Sequence, residues 1–134
     1  GLVTQCSQLE IPFLDELAPP AQVDTSFGLI LDGIFGFSFE GAIRAPFDSI
    51  IATLRACATP IVSIDVPSGW HVEQGNVQGV GLEPQMLVSL TAPKPCASFF
   101  TGGDRVHYVG GRFVPPCVRC FGRLLGTLES LLKR

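Results

Sequence analysis

Three side chains able to act on a small molecule sit at the ends of apolar runs. Asp32 closes Gly28-Leu-Ile-Leu-Asp32, Asp65 lies at the end of Pro60-Ile-Val-Ser-Ile-Asp65, and Lys94 follows Met86-Leu-Val-Ser-Leu-Thr-Ala92. If the runs are parallel strands, all three reach the carboxyl edge of one sheet, where ligands of open α/β folds bind. Burying a carboxylate without a partner is costly, so two of them imply a cation, a ligand or hydrogen-bond donors. On pattern alone two readings stand level: a ligand site, or Asp65 capping the turn Val66-Pro67-Ser68-Gly69 and Asp32 accepting local N–H bonds. The loop Gly36-Phe37-Ser38-Phe39-Glu40-Gly41 has glycines that let backbone N–H groups approach an anion, although such loops often only turn the chain. His107 reads as packed or surface-lying rather than as a base, and His71 as a solvated loop residue. Cys117-Val-Arg-Cys120 has no second pair to complete a zinc site.

The elements that must position these residues are legible from periodicity. Gly28–Phe37 reads as a buried strand entering a loop, and Pro60–Val66 and Met86–Ala92 as two further strands. Between the first two, Phe47, Ile50, Ile51 and Leu54 recur at helical spacing behind Pro46, with Asp48 and Arg55 suited to the helix dipole. Strand, helix and strand of this length predict a right-handed crossover between parallel strands. Trp70–Pro84 reads as a loop. Val106–Val109 and Arg112–Val114 flank Gly110-Gly111 and predict a hairpin or sheet-edge pair. Phe121, Leu124, Leu125, Leu128, Leu131 and Leu132 predict an amphipathic tail helix.

Composition narrows the function classes. A chain of 134 residues fits one domain, and 46% hydrophobic against 16% charged residues suits strands buried on both faces. A net charge of −3 without a basic block argues against a nucleic-acid surface. Five scattered cysteines argue for reduced thiols, and no apolar run approaches the ~20 residues of a membrane span. The opening at Gly1 shows no presequence, so no targeting segment is expected within the chain.

Four segments in order, Asp32-Gly-Ile-Phe-Gly-Phe-Ser-Phe-Glu-Gly41, Pro60-Ile-Val-Ser-Ile-Asp-Val-Pro-Ser-Gly-Trp70, Ser89-Leu-Thr-Ala-Pro-Lys94 and Gly110-Gly-Arg-Phe-Val-Pro-Pro116, resemble the NAD(P)HX epimerases, the YjeF N-terminal domain family. Leu2–Cys6 and Ile11–Leu14 are similar to its animal members. The resemblance implies a Rossmann-like, doubly wound, mainly parallel α/β domain over residues 1–116, incomplete at its N-terminal side, followed by a divergent helical tail, 117–134. It implies interconversion of the R and S forms of hydrated NADH and NADPH (NADHX and NADPHX), with Asp65 as acid/base and Lys94 as a weaker electrostatic candidate. It further implies a potassium ion on Asp32 and Ser68, and nucleotide contacts from Gly36, Phe37, Ser38, Phe39, Glu40, Gly41, Ala42 and Asp65.

Ala42 and His71 stand where close relatives carry acidic residues, and the tail after Pro116 does not resemble the family's ending. Nothing between Gly1 and Phe27 matches the family's glycine- and asparagine-rich nucleotide loop, so turnover by this chain is expected to be impaired. The alternatives are a non-catalytic apolipoprotein A-I-binding protein linked to cholesterol efflux, or a partial domain without independent function. A mitochondrial, secreted or cytosolic location and a homodimer are carried over from the resemblance alone.

Overall fold

The computed structural model describes residues 1–110. In chain order they form helices α1 (Leu2–Gln8) and α2 (Pro20–Ser26), strand β1 (Ile30–Asp32), helix α3 (Phe47–Arg55) and strands β2 (Ile61–Ile64) and β3 (Met86–Leu90). A 3-10 helix (Pro95–Phe99) and strand β4 (Val106–Gly110) follow. The first three expected strands exist, each shorter than its apolar run. β1 stops at Asp32, whose carboxylate accepts the Ile34 N–H at 3.3 Å and starts the loop. β2 stops at Ile64 because Asp65 takes a positive φ of 72°.

The four strands are all parallel and lie in the order β1-β2-β3-β4. This is the α/β architecture expected, with α3 as the crossover between β1 and β2. Val106–Val109 is confirmed as a strand, and it pairs parallel to β3 at the sheet edge. Its expected hairpin mate Arg112–Val114, Cys117, Cys120 and the leucine-rich tail lie outside the described residues.

Side chains alternate between the two sheet faces. One face carries Ile30, Asp32, Ile61, Ser63, Leu87 and Ser89, which are buried or half-buried. Ile51 and Leu54 of α3 close over Ile61 and Leu82, while Val66, Trp70, Cys96 and Phe100 close over Leu87. Fully burying a side chain such as Ile51, Leu82 or Leu87 contributes roughly 1.5–3 kcal/mol. The opposite face shows Leu31, Leu90, Val106 and Tyr108 to the surface of the described residues.

Residues before Gly28 had no element in the sequence reading. α1 buries nothing. α2 is tied down by Asp24, whose carboxylate accepts the Ala58 N–H (3.0 Å), the Thr59 N–H (2.8 Å) and the Thr59 hydroxyl (2.7 Å). These bonds, that from Ala58 foremost, hold the Asp24 carboxyl below its ordinary value.

Candidate functional site

The carboxyl edge of the sheet is built from the turns that end β2 and β3. At Asp65 the chain folds back so sharply that the Val66 N–H donates to the Ile64 carbonyl at 2.9 Å, a γ-turn with positive φ. A non-glycine residue held there costs about 1–3 kcal/mol, a cost that clusters at functional positions. The turn aims the carboxylate along the edge towards β3. Its Oδ1 accepts the Leu90 N–H at 3.2 Å and the Lys94 ammonium. Lys94 also donates to the Leu90 and Ala92 carbonyls, at 2.8 and 3.3 Å. Both side chains of the pair are mostly buried, 9% exposed for Asp65 and 18% for Lys94, so the charges meet with little water between them.

Asp65 Oδ2 faces the glycine loop. A Cβ on Gly36 would lie 3.9 Å from that oxygen, so the backbone of the loop passes beside the carboxylate. Phe37 leaves its ring mostly exposed, 5.7 Å from the Lys94 ammonium. The structure therefore brings Gly36, Phe37, Asp65 and Lys94 together. The rest of the loop turns the other way. Phe39 stacks on Phe35 at 3.9 Å between centroids and, with Glu40 and Gly41, lines a cleft of about 130 Å³ opposite Gly69, Trp70 and His71. Ser38 and Ala42 are exposed and make no side-chain hydrogen bond among the described residues. The His71 Nδ1 accepts the Glu73 and Gln74 N–H groups, at 3.1 and 3.2 Å.

Asp32 sits deeper and serves as a hub. It is 2% exposed, and each of its four acceptor positions meets a donor. Oδ1 takes the Ser68 hydroxyl (2.5 Å) and the Ile34 N–H (3.3 Å); Oδ2 takes the Ser63 hydroxyl (2.7 Å) and the Ser68 N–H (2.9 Å). Ser68 Oγ in turn accepts the Phe35 N–H at 3.1 Å, which locks the loop after β1 to the loop after β2. No side-chain hydrogen bond joins Asp32 to Asp65 among the described residues. The donor set of Asp32 and Ser68 fits a hard monovalent cation in kind, because carboxylate and hydroxyl oxygens lie side by side. The Ser68 hydroxyl can turn its proton away and offer a lone pair beside Oδ1. Among the described residues no group of three or more His, Cys, Asp or Glu surrounds them, so further ligands would be carbonyls, amides or water.

A larger cleft of about 340 Å³, between Glu83, Gln85, Thr101 and Arg105, lies at the amino ends of β3 and β4. It is at the wrong end of the strands for the carboxylates, and Arg105 there is already paired with Glu83 at 2.5 Å. We assign the site to the carboxyl edge on chemistry rather than size.

Several contributors escaped sequence reasoning. Ser63 could have been found, because a serine two residues after Ile61 shares its inward face. Ser89 is buried and bonds the His107 Nε2 at 2.8 Å, and burial lowers the His107 pKa from its ordinary 6.5. His107 is thus a packed residue, as expected. Cys96 is buried beside Asp65, and burial first, then that carboxylate, push its thiol pKa up. Thr91, at the end of β3, carried no signal in the sequence.

Comparison with known proteins agrees with this architecture. The profile of the family described as YjeF-related protein N-terminus matches residues 3–96. The chain is 48% identical over 127 residues to pyridoxine/pyridoxamine 5′-phosphate oxidase 1, chloroplastic, of Arabidopsis thaliana, covering 88% of this chain and 24% of that protein. It superposes on the crystal structure of yeast YNL200c with a TM-score of 0.76 and 42% identity, over 85% of this chain and 49% of that one. The chain thus spans about a quarter of the plant relative and half of the yeast protein. Among the described residues no helix is long and apolar enough to cross a membrane.

Proposed function

We propose, from the premise that this chain belongs to the YjeF-related protein N-terminus family, that its carboxyl edge epimerises hydrated NADH and NADPH. The observation that carries the reading is Asp65: a strained, mostly buried carboxylate whose Oδ1 is tied down while Oδ2 faces a glycine loop. Epimerisation at the hydrated ring carbon needs a proton given and a proton taken, and no covalent nucleophile. The Lys94 ammonium beside Oδ1 is the proton source in reach: its proton passes to the Asp65 carboxylate, which gives it to the leaving hydroxyl. Water departs as the ring nitrogen lone pair fills in, then adds to the opposite face and returns a proton to the carboxylate. Such transfer is worth ~10²–10⁴-fold in rate.

The other residues hold and orient. Lys94 fixes Oδ1, so a single oxygen faces the substrate. Gly36 leaves the space in front of Oδ2 open to the ring, because a side chain there would begin in van der Waals contact with that oxygen. Phe37 presents an exposed aromatic face for stacking, while Phe39, Glu40 and Gly41, which line the cleft beside Trp70, with exposed Ser38 and Ala42 next to them, would contact a part of the nucleotide away from the reacting ring. Potassium, when bound, would be held by Asp32 and Ser68 and would supply positive charge beside the nucleotide. In this reading residues 1–116 belong to the family domain.

The test is conversion of R-NADHX to S-NADHX by the 134-residue chain, with and without potassium, after subtracting the spontaneous rate. Asp65→Asn keeps the shape of the side chain, and asparagine tolerates the positive φ. It is expected to lower the rate at least 100-fold without unfolding the chain. A folded Asp65→Asn protein with the rate of the unsubstituted chain would remove Asp65 from the chemistry.

A further inference from the structure

Asp65 is not alone in its strained geometry. Thr91, at the end of the adjacent strand β3, has a φ of 70°, and the Ala92 N–H donates to the Leu90 carbonyl at 2.8 Å. It is a second γ-turn of the same hand, one strand along the same edge. A β-branched residue at positive φ is an outlier, and glycine would hold the same turn without steric conflict. The surroundings over-determine the turn. The Leu90 N–H is bound to Asp65 Oδ1, the Leu90 carbonyl to Lys94, and the Thr91 N–H to the Gly110 carbonyl at 2.8 Å. Strain kept in place by its neighbours clusters at positions that bind or react. Among the described residues nothing accounts for the threonine: it is exposed, and its hydroxyl makes no hydrogen bond there.

We infer that Thr91 is a substrate-binding residue, its hydroxyl meeting the carboxamide of the nicotinamide half beside the Asp65–Lys94 pair. The inference rests on the epimerase reading and names the residue that would orient its substrate. Along this edge Asp65 and Lys94 are charged and already engaged with each other, whereas the Thr91 hydroxyl, unbonded among the described residues, is donor and acceptor at once. A primary amide needs both. The γ-turn places Thr91 immediately after Leu90, whose N–H and carbonyl are bound to Asp65 and Lys94, so the residue adjoins the pair that the ring must reach.

Binding of hydrated NADPH to the whole chain, measured by calorimetry alongside the thermal midpoint, tests the inference without requiring turnover. Thr91→Gly removes the hydroxyl and relieves the turn, so the midpoint should hold or rise while Kd weakens about tenfold. Thr91→Val, equal in shape, should weaken Kd similarly, and Thr91→Ser should stay within about twofold of the unsubstituted chain. Should Thr91→Gly and Thr91→Val bind as the unsubstituted chain does while Asp65→Asn binds poorly, Thr91 is only a turn and this inference alone is overturned. Absence of binding by the unsubstituted chain overturns the epimerase reading and this inference together.

Discussion

Replacing Asp32 by asparagine tests the buried hub on which the site stands, and the structure fixes the expected size of the effect. An asparagine keeps one oxygen and presents an NH2 in place of the other. If the NH2 takes the position of Oδ2, it opposes the Ser68 backbone N–H, which cannot turn away. The cheaper choice puts it at Oδ1, where the Ser68 hydroxyl can reverse and accept, leaving the Ile34 N–H unmatched. The bonds from the Ser63 hydroxyl and the Ser68 N–H survive, but as bonds to a neutral oxygen they weaken by about 1 kcal/mol each. The unmatched donor adds roughly 1–3 kcal/mol. Removing a buried charge offsets part of this, so the net loss is about 3 kcal/mol, a large share of the ~5–15 kcal/mol of a domain. With a urea slope of about 2 kcal/mol/M, the midpoint should fall by roughly 1.5 M. Equilibrium unfolding of Asp32→Asn, Ser63→Ala and the double variant supplies the assay, and the two substitutions should couple by about 1 kcal/mol because they share a hydrogen bond. If the Asp32→Asn midpoint lies within about 0.3 M of the unsubstituted chain, the four-donor account of this carboxylate is wrong.

Two further outcomes follow from packing and from titration. A Cβ on Gly81 would lie 2.6 Å from Trp70 Cδ1 and 2.9 Å from the Gly69 carbonyl carbon, so Gly81→Ala should cost about 1–3 kcal/mol and shift the emission of Trp70, the sole tryptophan, to the red. Unchanged emission would show that the two loops do not touch. For His107, burial disfavours the charged ring, so the unfolded chain binds more protons than the folded one below about pH 6.5. Its contribution to stability is therefore complete above that value and declines as pH falls from it towards the lower folded value. His107→Gln, which can still bond Ser89, should lose this part of the acid slope in urea titrations between about pH 7 and 5, and an unaltered slope would contradict the burial of the ring.

The sequence by itself determined the four strands, the parallel sense of the first two and the edge to which Asp32, Asp65 and Lys94 belong, whereas the parallel pairing of β4 with β3 was decided by the tertiary structure. The apolar runs are too short for helices, the segment 47–55 supplies a crossover, and a right-handed crossover leaves one arrangement. The motifs around Asp32, Asp65 and Lys94 also carried the family, which the match over residues 3–96 bears out. The different surroundings of the two carboxylates were not legible. Asp32 is closed off by Ser63 and Ser68, and Asp65 is turned to Lys94, through bonds between residues 29 to 36 positions apart. Such partners are chosen by strand register and by the loops that follow it, which local spacing does not encode. Nor does any local pattern mark Asp65 and Thr91 for positive φ, because their own preferences oppose it and only the bonds around them impose it. The division of the glycine loop, Gly36 and Phe37 towards the ion pair and Phe39 to Gly41 towards Trp70, was likewise decided by packing, since Phe35 holds Phe39 on one side and leaves Phe37 free.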